Sequence, residues 1–232
     1  MDAYEGKFFG NRQQARNAAR AAFGIENLGL GDVYLVKKTT DVDYNDVLQS
    51  FMPAQIFGTI TLALAACTAG NQDNVLICPG TYTEALTVSK ADVRLIGLGS
   101  TPHSTVIDGD GGVCATITGV DVSFENLHFT TTGAAIVCMY GTGLVGGPSV
   151  KNCHFTQIEL TSLACIQIAG ATTRGVRVTG CAFLGASGSA DALNLTGKQA
   201  YIEDNSAEDL NTTEATCFGS TTYGQGTSNL AV

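Results

Sequence analysis

Tryptophan is absent from this sequence and proline occurs only four times. What fills the space is 28 glycines with Thr and Val between them, a composition of short strands joined by tight turns and not of a helical bundle. Positive charge is also scarce, 12 Lys and Arg against 21 Asp and Glu, and a net charge of −9 argues against general nucleic-acid or anionic-membrane binding. Long apolar runs are missing: the stretch from Ile56 to Ala69 is too short and too Thr-interrupted to span a bilayer. The opening MDAYEGKFFGNRQQ has no apolar core behind its first charges, so no secretion signal is expected. None of the eight cysteines shows the CxxC spacing of a redox or zinc site.

What is present is a repeated phrase. It reads VRLIGLG at 93–99, VSFENLHF at 122–129, PSVKNCHF at 148–155, VRVTGCAF at 176–183 and AYIEDNSA at 200–207. Aligned on the turn residue, the copies place Gly97, Asn126, Asn152, Gly180 and Asp204 in one column, at intervals of 29, 26, 28 and 24 residues. Gly and Asn suit such corners because they tolerate the left-handed backbone conformation. A second phrase precedes it, ALTV at 85–88, CATIT at 114–118, CIQI at 165–168 and ALNL at 192–195. Two short alternating strands around a fixed corner, recurring along the chain, predict a solenoid of stacked strands. Cys114 with Cys165 and Cys153 with Cys181 fall at repeated inward positions and read as buried core members. Adjacent coils bring equivalent residues within about 5 Å, near enough for a disulfide under oxidising conditions.

Ahead of the repeats, residues 11–23 read as a short helix with Asn11 as N-cap, Gln14 completing a capping box and Gly24 as its stop. Arg12, Arg16 and Arg20 form one basic stripe, and the alanines with Phe23 form a narrow opposite face. DVYLVKKT at 32–39 reads as a strand. DVDYND at 41–46 resembles the start of a calcium loop, but Asp46 stands where Gly is required and Met52 where a bidentate Glu is required, so a helix-initiating turn is expected instead. Pro53 to Ala69 has near-helical apolar spacing and would cover the open end of the stack, which otherwise presents unpaired edges. Residues 1–40 carry a net +2, leaving −11 for the remainder, so one end is mildly basic and the other acidic.

From Asp73, the run DNVLICPGTYTEALTVSKADVRLIGLGSTPHSTVIDG resembles the opening coils of right-handed parallel β-helix proteins, the pectin-lyase-like superfamily, over roughly 73–207. The resemblance implies an all-β, right-handed parallel β-helix of about five coils with an N-terminal arm and a capping helix. It implies little about activity, since that fold hosts many. GTYTE at 80–84 is similar to the GxYxE motif of pectin methylesterases, yet the later motifs of that family, with two aspartates, an arginine and a tryptophan, are missing. Pro79–Gly80 is therefore read as a turn and Tyr82 as a packing residue. Asp108 and Asp110 could be as close as an inverting carboxylate pair, but their glycine-rich setting reads as a corner. RGVRV at 174–178 is only a loose echo of a polygalacturonase basic motif, and Arg94 lacks the acidic surround of a lyase base. His128 and His154 occupy the same slot of neighbouring repeats; a metal would need further ligands and the next copy offers Ala182, so stacking is expected and no metal site is assigned.

These readings divide the chain into an arm (1–44), a capping segment (45–72), the β-helix (73–207) and a Ser/Thr/Gly-rich tail (208–232) that caps the far end or exchanges between subunits. Stiffness without a catalytic constellation, together with the arm, resembles virion components of tailed bacteriophages. The expectation is a non-catalytic structural protein, a capsid decoration or cement protein, knob or spike, without catalytic residues, cofactor or metal. It would be assembled in the host cytoplasm, be a homotrimer in the virion, and bind neither nucleic acid nor membrane. Arg12, Arg16, Arg20, Phe23, Lys37 and Lys38 would dock it on a capsid shell protein. The alternative is a carbohydrate-active or glycan-binding β-helix, a depolymerase or tailspike-like protein with a surface glycan as ligand.

Overall fold

The computed structural model describes residues 17, 28, 30–38, 55–132, 138–142, 144, 146–157, 164–169, 174–185, 191–195, 199–208 and 230–231. Of the helix expected at 11–23 only Asn17 is described, and it is helical; the acidic turn at 41–46 and most of the tail lie outside the described residues.

Short strands with apolar residues at alternate positions have one face to bury, and stacking them in register buries that face continuously. The chain does this with three parallel sheets, and five successive coils give one strand to each. The first sheet runs through Asn74–Ile77, Arg94–Gly97, Ser123–Glu125, Ser149–Lys151 and Arg174–Thr179. The second takes Gly80–Thr83, Thr105–Asp108, His128–Thr131, His154–Gln157 and Ala182–Leu184. The third takes Leu86–Val88, Ala115–Ile117, Met139–Thr142, Ile166–Ala169 and Leu193–Leu195. Gln199–Glu203 and Ser206–Glu208 begin a further coil. The repeat thus holds three strands where two were expected. The residues just past the turn column, read as a tail of the first phrase, form a sheet of their own.

The inward slots explain the register. Phe129, Phe155 and Phe183 stack with centroids 5.1 and 5.0 Å apart and planes inclined by 10°. Tyr82 and Ile107 continue the column in the preceding coils. Each such buried ring contributes about 1.5–3 kcal/mol of burial, and a one-residue slip would turn the whole column to solvent.

The turn column behaves as its composition predicts at four of five positions: Asn126, Asn152, Gly180 and Asp204 have φ of 56°, 49°, 62° and 54°. Gly97 is the exception and is glycine for another reason, since a Cβ there would collide with the backbone carbonyl of Asn126 in the next coil. Asn152 Nδ2 in turn donates to Asn126 Oδ1 at 3.2 Å, linking successive corners.

The stack begins earlier than residue 73. Val33–Val36, assigned above to the arm, pairs in parallel with Asn74–Ile77 and on its other side with Ile56–Phe57. The capping helix is confined to Ile60–Ala66, with Ile60, Ala63 and Leu64 buried against the first coil. Glu84 holds its start, accepting from the Ile60 and Thr61 amides, both at 3.0 Å. Lys90 holds its end, donating to the Ala65 carbonyl at 2.7 Å. The acid and the base each sit at the favoured end of the helix dipole. Asp73, fully buried, accepts from the Asp32 and Thr68 amides, each at 2.7 Å, and so ties the cap to the strands.

Seven cysteines are free and buried. Cys153 and Cys181 are neighbours as expected, whereas Cys138 sits between Cys114 and Cys165 as a third member of that ladder.

Candidate functional site

A β-helix core is closed, so chemistry must be carried by the outward rows of its sheets or by the corners between them. The third sheet offers an uncharged row, from Thr87 through Thr116, Tyr140 and Gln167 to Asn194. The other two sheets are different.

On the second sheet the buried Leu127 and Cys153 that follow the turn force the next residues, His128 and His154, outward. They pair in register, with ring centroids 4.6 Å apart. A third imidazole joins them. The corner after Gly97 is longer than those that follow Asn126 and Asn152, and it carries the 3-10 turn Pro102–Ser104. Asn126 pins that corner by donating to the Gly97 and Gly99 carbonyls at 2.9 and 2.7 Å. The result brings His103 to 4.9 Å from His128 and 4.2 Å from His154, centroid to centroid. One ligating atom from each of the three rings lies within 4.8 Å of the others. The Thr156 hydroxyl bridges the two strand histidines, 2.9 Å from His128 Nε2 and 3.3 Å from His154 Nδ1. Burial, and then the facing imidazoles of His154 and His103, pull His128 down to about 4. Burial and then His103 pull His154 to about 4 as well. Both rings are neutral at pH 7, donors and ligands rather than cations.

On the first sheet, registered pairs line up Arg94, Ser123, Ser149, Arg177 and Tyr201 in one outward row. The parallel row includes Glu125, Lys151 and Glu203. Glu125 is flanked by Arg94 at 3.0 Å and Lys151 at 3.6 Å. The Arg177 guanidinium lies 6.0 Å from the Tyr201 ring centroid, and Tyr201 is 39% exposed with its hydroxyl on Glu203. These two rows hold three cations and two acids, and Asp204 acts electrostatically on Tyr201 at their end.

The residues singled out for chemistry or docking find other places. Tyr82 is a packing residue, as expected, buried with its hydroxyl donating to the Cys78 carbonyl at 2.9 Å; the role of Glu84 in capping the helix was not foreseen. Asp108 accepts from the Asp110 amide at 3.0 Å in a turn where Asp110 has φ of 50°, which makes this pair a corner. Lys37 is only 9% exposed, and Lys38 leans over the Tyr82 ring at 5.3 Å, so the chain's own body engages both. Arg12, Arg16, Arg20 and Phe23 lie outside the described residues. The sequence reading missed His103, whose only signal is the extra length of its corner, and the row ending in Tyr201, where the repeat is most worn.

No protein-family model matches the chain, and no curated protein matches it. Among solved structures, the chain is similar to pectin methylesterase PemA from Erwinia chrysanthemi, with 15% identity, a TM-score of 0.48, and 77% of this chain and 55% of that chain covered. It thus spans little more than half the length of that enzyme. It is similar also to pectin methylesterase from carrot, with 12% identity, a TM-score of 0.46, and 89% and 84% covered. A third is pectin methylesterase from Aspergillus niger, with 14% identity, a TM-score of 0.43, and 86% and 85% covered. Likeness at such identities concerns the fold, a right-handed parallel β-helix. These neighbours are enzymes and none of them is a virion part. The expectations of a bacteriophage decoration protein and of a chain without catalysis are accordingly withdrawn, since the solved structures it resembles are pectin methylesterases.

Proposed function

We propose that this right-handed parallel β-helix protein of the pectin-lyase-like superfamily is carbohydrate-active and binds an acidic polysaccharide along the outer face of its first sheet. The row from Arg94 to Tyr201 carries this reading. Rungs of a parallel sheet repeat about every 4.8 Å, similar to the length of one sugar ring along an extended glycan, so successive rungs meet successive sugars. The Arg177 guanidinium suits a uronate carboxylate, which it can engage with two parallel hydrogen bonds, while Arg94 is held on Glu125. Ser123 and Ser149 supply hydroxyls between them, and Tyr201 offers an exposed ring whose flat face can cover a sugar while its hydroxyl stays wet.

The test is a titration of the whole protein with a polyuronate and, separately, with a neutral glucan. Binding to the polyuronate alone, weakened by salt and reduced about tenfold by the Arg177→Ala/Tyr201→Ala double substitution, supports the reading. Equal binding of the neutral glucan, or none of either, refutes it. Release of reducing ends or unsaturated products from the bound glycan would place the chain among enzymes rather than binding modules.

A further inference from the structure

We infer that His103, His128 and His154 together form a binding site for one divalent transition-metal ion of the zinc or copper kind, a site independent of any glycan. Two of the imidazoles are in register on adjacent strands and the third arrives from a separate, longer corner, with ligating atoms within 4.8 Å of one another. Imidazole nitrogens bind zinc at about 2.0–2.1 Å, and in a tetrahedral shell neighbouring ligand atoms then lie about 3.3 Å apart. Closing from the present spacing needs a contraction of up to about 1.5 Å. His103, exposed on a three-residue turn, is free to supply it by a change of side-chain torsion.

The donor set decides the class of ion. Three imidazoles and no carboxylate suit zinc, copper or nickel and not calcium or magnesium, which take oxygen ligands. The Thr156 hydroxyl, shared between His128 Nε2 and His154 Nδ1, fixes the orientation of both rings, as outer-shell partners of metal-bound histidines do. Three protein ligands leave at least one position for water or for an oxygen of a bound molecule.

The experiment uses untagged, chelator-stripped full-length protein. Isothermal titration with Zn2+ and with Cu2+ is expected to give a single equivalent, Ca2+ and Mg2+ are expected to give no binding, and the Cu2+ form is expected to show nitrogen hyperfine structure in its electron paramagnetic resonance spectrum. His103→Ala, away from the core, is expected to weaken binding at least tenfold, with the far-ultraviolet spectrum and the metal-free unfolding midpoint unchanged. His128→Gln and His154→Gln, which keep the side-chain volume, are expected to weaken it comparably. Failure of the wild-type protein to bind Zn2+ or Cu2+, or binding that all three substitutions leave unchanged, overturns the inference. So does a His103→Ala protein that binds as tightly as wild type.

Discussion

The imidazoles of His103 and His154 lie 4.2 Å apart, centroid to centroid, although they belong to a corner of one coil and a strand two coils further on. Together with His128, which both face, they form a nitrogen cluster on the second sheet, in which burial opposes protonation of His128 and His154.

That opposition sets a pH dependence. In the folded, metal-free protein His128 and His154 titrate at about 4, below the ordinary histidine value of 6.5. Between those values the unfolded chain binds more protons than the native one. The contribution to stability is therefore complete above about pH 6.5 and is lost as pH falls towards 4. Urea midpoints measured at pH 7, 5.5 and 4 with chelator present are expected to decline. The decline is expected to be shallower in the His128→Gln/His154→Gln protein. Parallel declines in the two proteins would mean that the histidines are not responsible.

Phe155 sits at the centre of the aromatic stack, fully buried between Phe129 and Phe183. Its replacement by alanine removes both ring contacts and leaves a void that stiff neighbouring strands cannot close. A loss of about 3–5 kcal/mol in unfolding free energy is expected from denaturant titration.

Glu84 belongs to a motif resembling that of an enzyme family, yet its carboxylate is used up on the start of the helix at Ile60–Ala66. Glu84→Ala is expected to cost about 1–2 kcal/mol of stability and to leave glycan affinity within about twofold of wild type, a difference well under 1 kcal/mol.

The thiols make a further prediction. Hydrogen bonds from Cys114 and Cys165, with burial, hold Cys138 well above the usual thiol range, burial and Cys181 do the same for Cys153, and burial pushes Cys67 up to about 12. Buried, protonated thiols are poor nucleophiles. Seven of the eight cysteines are buried, and Cys217 lies outside the described residues. A native-state assay with a thiol-specific chromogenic reagent is expected to titrate at most that one, and a denatured sample all eight.

How far the sequence could be read depended on whether a feature repeats. Asn126, Asn152, Gly180 and Asp204 announced their left-handed corners, and Phe129, Phe155 and Phe183 their inward column, because each rung restates the same requirement. The third-sheet strand Met139–Thr142 was silent. Gly141 stands in its inward slot, where Ile168 and Leu144 side chains fill the space a side chain would take, and so the alternating phrase is broken there. Cys138 was missed with it. His103 was missed because it belongs to an insertion in one corner, which no period marks. The strand Val33–Val36 was read correctly as a strand but assigned to an arm, since nothing local says that its partner is Asn74–Ile77.

The central claim is the location of the glycan, and nuclear magnetic resonance tests it directly. A uronate oligosaccharide titrated into the isotopically labelled protein is expected to shift the resonances of Arg94, Ser123, Ser149, Arg177 and Tyr201 together with one saturation curve. Shifts confined to the third-sheet row of Thr87, Thr116, Tyr140 and Gln167, or no saturable shifts at all, would contradict the account.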